Sequence, residues 1–258
     1  MSLDLHTARL KHVTPNDTRT YSLWEWTRAY LVLIVFWLPI FPLLWLLDGR
    51  TLPPWITRKL LQAHNWWTAN KAMDFRIPPD TAVPAYMHRW WRVPRNWATN
   101  IYYHIVLRSD DDRALHDHPW MSISIVLDGG YFEHTIQAGG IHRKVWKGPG
   151  SMSFRWTGSL AHRLELKRVS LMEAPLSALE NREVEISDAT NMKVEVPATT
   201  IFITGPVLRR WGFHDAERGW VDAYDWDAFC EANGIHQNIK MDGGSDAAIS
   251  PRNLHNAN

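Results

Sequence analysis

The middle of the chain consists of short apolar or alternating segments, each closed by glycine, aspartate or proline. Segments of this kind occupy residues 101–108, 121–128, 131–137, 141–146, 151–156, 162–169 and 199–205. Strands of about five to eight residues, with a turn signal about every ten residues, are typical of an all-β barrel or sandwich. Glycines at 129–130, 139–140, 148 and 150 supply the hairpin turns. The pattern predicts a mainly β domain, which we place at residues 100–241.

A hydrophobic run precedes the β region. Residues 30–47 carry no charge, and as a helix they would be about 27 Å long, close to the ~30 Å hydrocarbon core of a bilayer. Pro39 and Pro42 favour a kink, so a re-entrant or hairpin insertion is one alternative. A buried helix that covers the β domain is another. We favour a membrane anchor at residues 30–47.

The rest of the chain divides around these two regions. Residues 1–29 form a polar N-terminal segment without a signal-peptide pattern. Residues 48–99 are predicted to hold a helix over 53–75, with Pro54 near its start, and then a proline-rich linker. Residues 242–258 are small and polar, and we expect a disordered tail.

Charge and cysteine content exclude several kinds of site. The formal net charge of the chain is +1, which does not favour nucleic-acid binding because a basic groove requires a clear excess of Lys and Arg. Cys230 is the single cysteine, so an intramolecular disulfide and a cysteine-rich zinc site are both excluded.

Three histidines carry the strongest chemical signal. His116 and His118 are separated by one residue, and on an extended strand such residues point to the same face. His162 begins a later predicted strand, just after the turn at residues 157–160, so strand pairing can bring it alongside. A lone strand histidine is more often an ordinary core or surface residue. The three together predict one metal site with His116, His118 and His162 as ligands.

This arrangement resembles the cupin superfamily, whose first motif carries His-x-His and then a Glu, and whose second carries a Gly turn and then a His. His116 and His118 match the first motif, and Gly158 with His162 matches the second. The resemblance covers roughly residues 100–215 and implies a cupin-type double-stranded β-helix barrel. The N-terminal helical extension, partly hydrophobic and membrane-inserted in our interpretation, would be added to that barrel.

The chain departs from the cupin pattern at the expected Glu ligand, where Ser122 or Ile123 stands. The resemblance therefore implies three neutral histidines, the ligand set of thiol-dioxygenase-like cupins. Such a site suits Fe(II), with Zn or Ni as alternatives. Glu133 or His134 could replace the missing Glu if the strand register allows it.

Other polar residues near the motif are candidates for supporting roles. We expect Arg113 and Tyr131 to act on the substrate, since an arginine can hold a carboxylate in bidentate fashion and a phenol can stand near the metal. Arg108 and Arg155 are alternatives for the arginine. Residues that could hold the second nitrogen of a ligand histidine are Asp112, Asp117 and Glu165, although Asp117 points away from the ligand face and is expected to be a turn or surface residue.

The run from Leu107 to Trp120 and the segment from Phe202 to Val221 are also similar to a group of small cupin-like proteins of phages and proteobacteria. These resemblances imply a metal-binding cupin, and we expect a non-haem Fe(II) oxygenase-like enzyme acting on a small molecule. The alternative is a non-catalytic metal- or ligand-binding cupin, either a sensor or a phage-associated structural protein, anchored at a membrane. We expect a membrane-associated protein with the barrel in the cytoplasm, which could form a homodimer.

Overall fold

The computed structural model describes residues 23–77, 84–110, 114–137, 141–170, 173, 193–215, 219–223 and 225–233. Its helical segments are α1 (Leu23–Val32), a π-helical turn (Leu33–Trp37), α2 (Leu38–Leu47), α3 (Pro54–Asn70) and α4 (Trp226–Ala232). Of the polar segment predicted at 1–29, residues 1–22 lie outside the described residues, and residues 23–29 belong to α1 instead. The tail predicted at 242–258 also lies outside the described residues.

Most of the described chain is β-structure. The strands are β1 (Phe75–Ile77), β2 (Met87–Trp91), β3 (Asn100–Val106), β4 (Leu115–His116), β5 (Ser122–Asp128), β6 (Tyr131–Gln137), β7 (Ile141–Lys147), β8 (Met152–Arg155), β9 (His162–Leu166), β10 (Arg168–Ser170), β11 (Lys193–Glu195), β12 (Ala198–Thr204), β13 (Gly212–Asp215) and β14 (Gly219–Asp222). A six-stranded first sheet has the order β1-β2-β3-β12-β5-β8, and a six-stranded second sheet has the order β14-β13-β4-β9-β6-β7. All the pairings are antiparallel, which confirms the mainly β prediction.

The two faces of the first sheet differ because side chains alternate along each strand. On β3, Tyr103 lies on the outer face and packs near α3, whereas His104 lines an inner cavity. On β12, Ile201 is on the outer face and Thr200 lines the cavity. This sheet therefore has an apolar outer face that is covered by helices and a more polar inner face that opposes the second sheet.

The N-terminal helices lie on that outer face. Trp37 and Leu44 are buried against residues of β5 and β8, and the Phe41 ring meets the Phe154 ring edge-on at 5.5 Å between centroids. The π-helical turn ends just before Pro39, whose ring has no room for the carbonyl of Val35 in a regular helix. Trp26–Leu47, with a mean hydropathy of 2.4, is the one described helix long and apolar enough to cross a membrane.

Two predictions between the helices and the β region were wrong. The helix that we expected to reach residue 75 ends at Asn70, because Phe75–Ile77 pairs with Met87–Trp91 instead. The second of these strands lies where we expected only a linker. It pairs in turn with β3 and so extends the first sheet.

His64 connects α3 to the outer face of the first sheet. Its ring lies 4.9 Å from the Tyr103 ring between centroids, and its side chain is fully buried. Burial lowers the pKa of His64 below its usual value of 6.5. Below about pH 6.5 the unfolded chain binds a proton at this residue that the folded protein does not, so stability falls as the pH falls.

We predict that His64→Phe weakens this acid sensitivity. Between pH 7.5 and pH 5, the free energy of unfolding should fall less in His64→Phe than in the wild type, measured by urea denaturation at each pH. Gln62→Leu, on the exposed side of α3, is the control and should keep the wild-type dependence. An equal loss in His64→Phe and wild type would show that His64 does not titrate on unfolding.

Candidate metal centre

The strand register places His116 directly opposite His162. β4 is a two-residue strand between β13 and β9, and its His116 pairs with His162 on one side and with Phe213 on the other. Directly opposed residues in an antiparallel pair have Cβ atoms about 4.5–5.5 Å apart. His118 follows two residues after His116, so its side chain returns to the same side. The structure brings all three predicted histidines together.

The ligand atoms of the three imidazoles converge on one point. The possible ligand atoms of His116, His118 and His162 all lie within 4.8 Å of one another. The Nε2 atoms of His118 and His162 are 2.9 Å apart. Nitrogens that share one ion at about 2.0–2.1 Å lie roughly 3 Å apart, so this pair already has the required separation. Within the described chain, this is the one His/Cys/Asp/Glu group with such a geometry.

Gly158 explains why the turn before His162 can approach the His118 segment so closely. The His118 N–H donates to the Gly158 carbonyl at 2.8 Å. A Cβ at position 158 would lie 2.1 Å from the carbonyl oxygen of His118, a separation that atoms do not tolerate. A side chain at this position would therefore push the two ligand-bearing segments apart.

Asp117 fixes the same segment from its opposite side. Its side chain is completely buried and accepts hydrogen bonds from the Gly212 N–H at 2.8 Å and the Trp220 indole at 3.2 Å. It also pairs with Arg209 at 2.7 Å and with His214 at 3.1 Å. The prediction that Asp117 is a turn or surface residue was wrong. Its four polar partners offset the free-energy cost of burying the carboxylate.

Carboxylates stand behind two of the three histidines. The Nδ1 of His162 lies 3.0 Å from Glu133 Oε1, and the Nδ1 of His116 lies 3.8 Å from Asp110 Oδ2. For His162, which is within hydrogen-bond distance, the carboxylate at Nδ1 favours the tautomer whose lone pair is on Nε2, the nitrogen that lies 2.9 Å from His118 Nε2. Glu133 thus stands behind His162 in the position of a supporting group.

Glu165, which we predicted for this supporting role, lies away from the three histidines. Glu165 is on the other face of β9, where it contacts His134 at 2.7 Å and Lys144 at 2.8 Å. His134 therefore points away from the three histidines, and its proposed use as a fourth ligand was wrong. Asp112 lies outside the described residues.

Burial keeps the metal-facing imidazoles neutral. The pKa values of His118 and His162 are well below the usual 6.5, chiefly because both rings are buried. Neighbouring imidazoles and the Arg155 guanidinium lower these pKa values further. Both rings therefore have free lone pairs at neutral pH, which is the form that binds a metal.

A cavity of about 180 Å³ adjoins the three histidines between the two sheets. Its polar lining includes Tyr86, Arg89, His104, Asp110, Ser124, Tyr131, Arg155 and Thr200. Its apolar lining includes Ile77, Met87, Val106, Pro119, Leu164, Phe202 and Phe213. The cavity is large enough for a small molecule to approach the histidines.

One of the two residues that we expected to act on the substrate lines this cavity. Tyr131 lines it, with its hydroxyl 3.3 Å from Ser124 Oγ. Burial raises the pKa of Tyr131, so the phenol stays protonated at neutral pH. Arg155 is buried in an ion pair with Glu133, so its charge already has a partner. Arg113 lies outside the described residues.

Arg89 also lines the cavity, but the sequence did not predict a role for it. It comes from β2, where we expected no strand, and its Nε donates to His104 Nε2 at 2.9 Å. Its guanidinium carbon lies 4.8 Å from the centre of the Tyr102 ring. Among the described residues, no carboxylate forms an ion pair with Arg89. The one signal for this strand was its content of large apolar residues, Met87, Trp90 and Trp91.

Replacing the carboxylate behind His162 should weaken metal binding. We predict that Glu133→Gln lowers metal affinity about 10- to 100-fold, because the amide no longer holds the His162 tautomer through a charged acceptor. Competition with a chromophoric chelator measures the change. Glu165→Gln, on the outer face of the same sheet, is the matched control and should bind metal as the wild type does. Equal affinities in both variants would contradict a supporting role for Glu133.

Comparisons with known proteins do not assign the chain to a family. No family model matches it, and no curated protein matches it. Among solved structures, it is similar to the EutQ protein of Clostridium difficile, with 15% identity over 51% of this chain and 75% of that one and a TM-score of 0.29. It is also similar to the DMSP lyase DddQ of Ruegeria pomeroyi, with 13% identity over 59% of this chain and 57% of that one and a TM-score of 0.31. The hydroxypropylphosphonic acid epoxidase of S. wedmorenis gives 13% identity over 46% of this chain and 50% of that one, with a TM-score of 0.29.

Proposed function

We propose that the chain is a mononuclear metal-binding cupin and a non-haem, oxygenase-like enzyme that acts on a small molecule. The observation that carries the proposal is the convergence of His116, His118 and His162 within 4.8 Å at the edge of a cavity. A His-x-His segment paired with a later histidine, between two antiparallel sheets, agrees with the cupin pattern in the sequence.

The donor set fits Fe(II) well. Three neutral imidazoles suit Fe(II), and they also accept Zn or Ni. Three protein ligands leave coordination positions open, and the adjoining cavity gives a small molecule access to them. A bound iron would supply the redox chemistry, while the protein binds and orients the substrate and limits the entry of water.

Arg89 replaces Arg113 in our proposal as the residue that orients the substrate. A guanidinium at a cavity wall, without a carboxylate partner among the described residues, favours an anionic substrate group. Burial and Arg89 keep the pKa of His104 well below 6.5, so His104 is a neutral acceptor that fixes the guanidinium without cancelling its charge. We therefore expect a small carboxylate, phosphate or phosphonate as the substrate.

The alternative is a non-catalytic cupin that only binds a metal or ligand. Burial raises the pKa of both cavity phenols, Tyr86 and Tyr131, and Asp110 raises that of Tyr86 further, so both stay protonated at neutral pH and can donate hydrogen bonds. In this alternative the protein is a sensor or a phage-associated structural component. Membrane association through residues 30–47, with the barrel in the cytoplasm, is part of both proposals.

Metal content tests the site directly. We predict that protein purified without added metal contains close to one equivalent of iron, measured by inductively coupled plasma mass spectrometry. His116→Ala combined with His162→Ala should lose it, because one imidazole cannot hold the ion alone. The matched control is His134→Ala combined with His142→Ala, a contacting histidine pair outside the site, 2.9 Å apart, which should keep the iron.

Two results would count against this proposal. Failure of the wild type to bind any metal, even after reconstitution with Fe(II), would contradict the site. Stoichiometric zinc in place of iron would contradict the oxygenase and point to hydrolysis or a structural role.

Arg89 should determine the preference for anions. Using iron-loaded protein and isothermal titration calorimetry, we expect propionate or methylphosphonate to bind and neutral propionamide not to bind. Arg89→Gln should weaken anion binding about 10- to 100-fold, the equivalent of one charged hydrogen bond, with iron content unchanged. Arg163→Gln, on the outer face of β9, is the control. Equal binding of propionate and propionamide would contradict an anionic substrate.

A further inference from the structure

The N-terminal helix presents a large apolar surface to its surroundings. We define the outer helix face as the exposed large apolar residues of α1, the π-helical turn and α2. They are Leu23, Trp24, Leu31, Ile34, Val35, Phe36, Leu38, Ile40, Leu43, Trp45 and Leu46. A monomeric soluble protein rarely exposes a continuous apolar patch of more than a few hundred Å². An apolar partner is therefore needed to remove the outer helix face from water.

The opposite side of the same helix is already occupied. Trp37 and Leu44 are buried against the first sheet, and the Trp37 indole donates to Thr99 Oγ1 at 3.3 Å. Near the start of the helix, the Arg28 guanidinium lies 4.5 Å from the centre of the Trp97 ring. The helix is thus attached to the β domain along its length. It could not cross a bilayer alone without breaking these contacts.

The composition of the outer helix face favours lipid over a second protein. Residues 29–47 carry no charged side chain, and the face offers only indole N–H groups for hydrogen bonding. A protein interface normally includes a polar rim with about one hydrogen bond per 100–200 Å². Hydrocarbon requires no such groups, so the face is better matched to acyl chains than to a copy of this protein.

The ends of the helix have the residues expected at a bilayer surface. Trp24 and Trp45 are both exposed, so a helix lying in the membrane plane places both indoles at the same interface. Indoles concentrate at the boundary between headgroups and acyl chains. Exposed Arg50, Arg58 and Lys59 follow the helix and can meet anionic headgroups.

Resting on the membrane association proposed above, we propose that α1 and α2 form an in-plane membrane anchor, in which the outer helix face inserts into one leaflet and the β domain stays on the membrane surface. This geometry buries the apolar face and keeps the contacts with the first sheet intact. Both ends of the helix then lie on the same side of the bilayer. The inner cavity lies on the opposite side of the first sheet from the lipid.

Flotation with lipid vesicles tests the choice of partner. The full-length protein is mixed with phosphatidylcholine vesicles, with and without phosphatidylserine, and centrifuged through a density gradient. We expect the wild type to float, more strongly with phosphatidylserine. Val35→Glu combined with Leu43→Glu should lower partitioning about 50-fold or more, because two charges enter the acyl region. Ile136→Glu combined with Leu160→Glu alters two exposed apolar residues elsewhere and should float as the wild type does.

Cysteine labelling separates an in-plane anchor from a spanning helix. Thr27→Cys combined with Arg50→Cys places a thiol near each end of the helix, and buried Cys230 should stay unlabelled in the wild type. With vesicle-bound protein and a membrane-impermeant maleimide, intact mass spectrometry should show two labels per molecule. One label per molecule would mean a spanning helix and overturn the proposal. The proposal would also be overturned if the wild-type protein did not float and instead formed a dimer, and if Val35→Glu combined with Leu43→Glu dissociated that dimer.

Discussion

The pairing of His116 with His162 across two short antiparallel strands is the contact on which the candidate site depends. β4 contributes only two residues to the second sheet, so its position relies on its neighbours. Asp117 holds the segment from behind through buried polar contacts, and Gly158 lets the opposite turn approach it. Together they bring three imidazoles to one point.

The first sheet connects that site to the rest of the molecule. Its inner face supplies His104, Ser124 and Arg155 to the cavity, while its outer face holds the helices through apolar residues of the same strands. Neighbouring residues on a strand point to opposite sides of the sheet. The same strands therefore supply alternate side chains to the cavity on one face and to the contacts with the helices on the other. Only the thickness of the first sheet therefore separates the apolar helix on its outer face from the cavity on its inner face.

The sequence predicted those parts of the molecule that depend on local patterns. Alternation and glycine turns located the seven strands β3, β5, β6, β7, β8, β9 and β12, and the spacing of His116 and His118 located the site. The short strands β4 and β11 lie outside the predicted segments. The strand that carries Arg89 was missed, because its apolar and polar residues do not alternate cleanly and prolines surround it. The role of Glu133 and the burial of Asp117 were also out of reach, since both depend on partners more than 20 residues away that only the fold brings close.

The central claim is that three imidazoles bind one metal ion at this point. X-ray absorption spectroscopy of the iron-loaded protein tests it most directly, because imidazole rings give a characteristic outer-shell scattering pattern. The account predicts nitrogen or oxygen neighbours at about 2.0–2.2 Å, of which about three belong to imidazoles. A spectrum without imidazole scattering, or with oxygen neighbours alone, would contradict it.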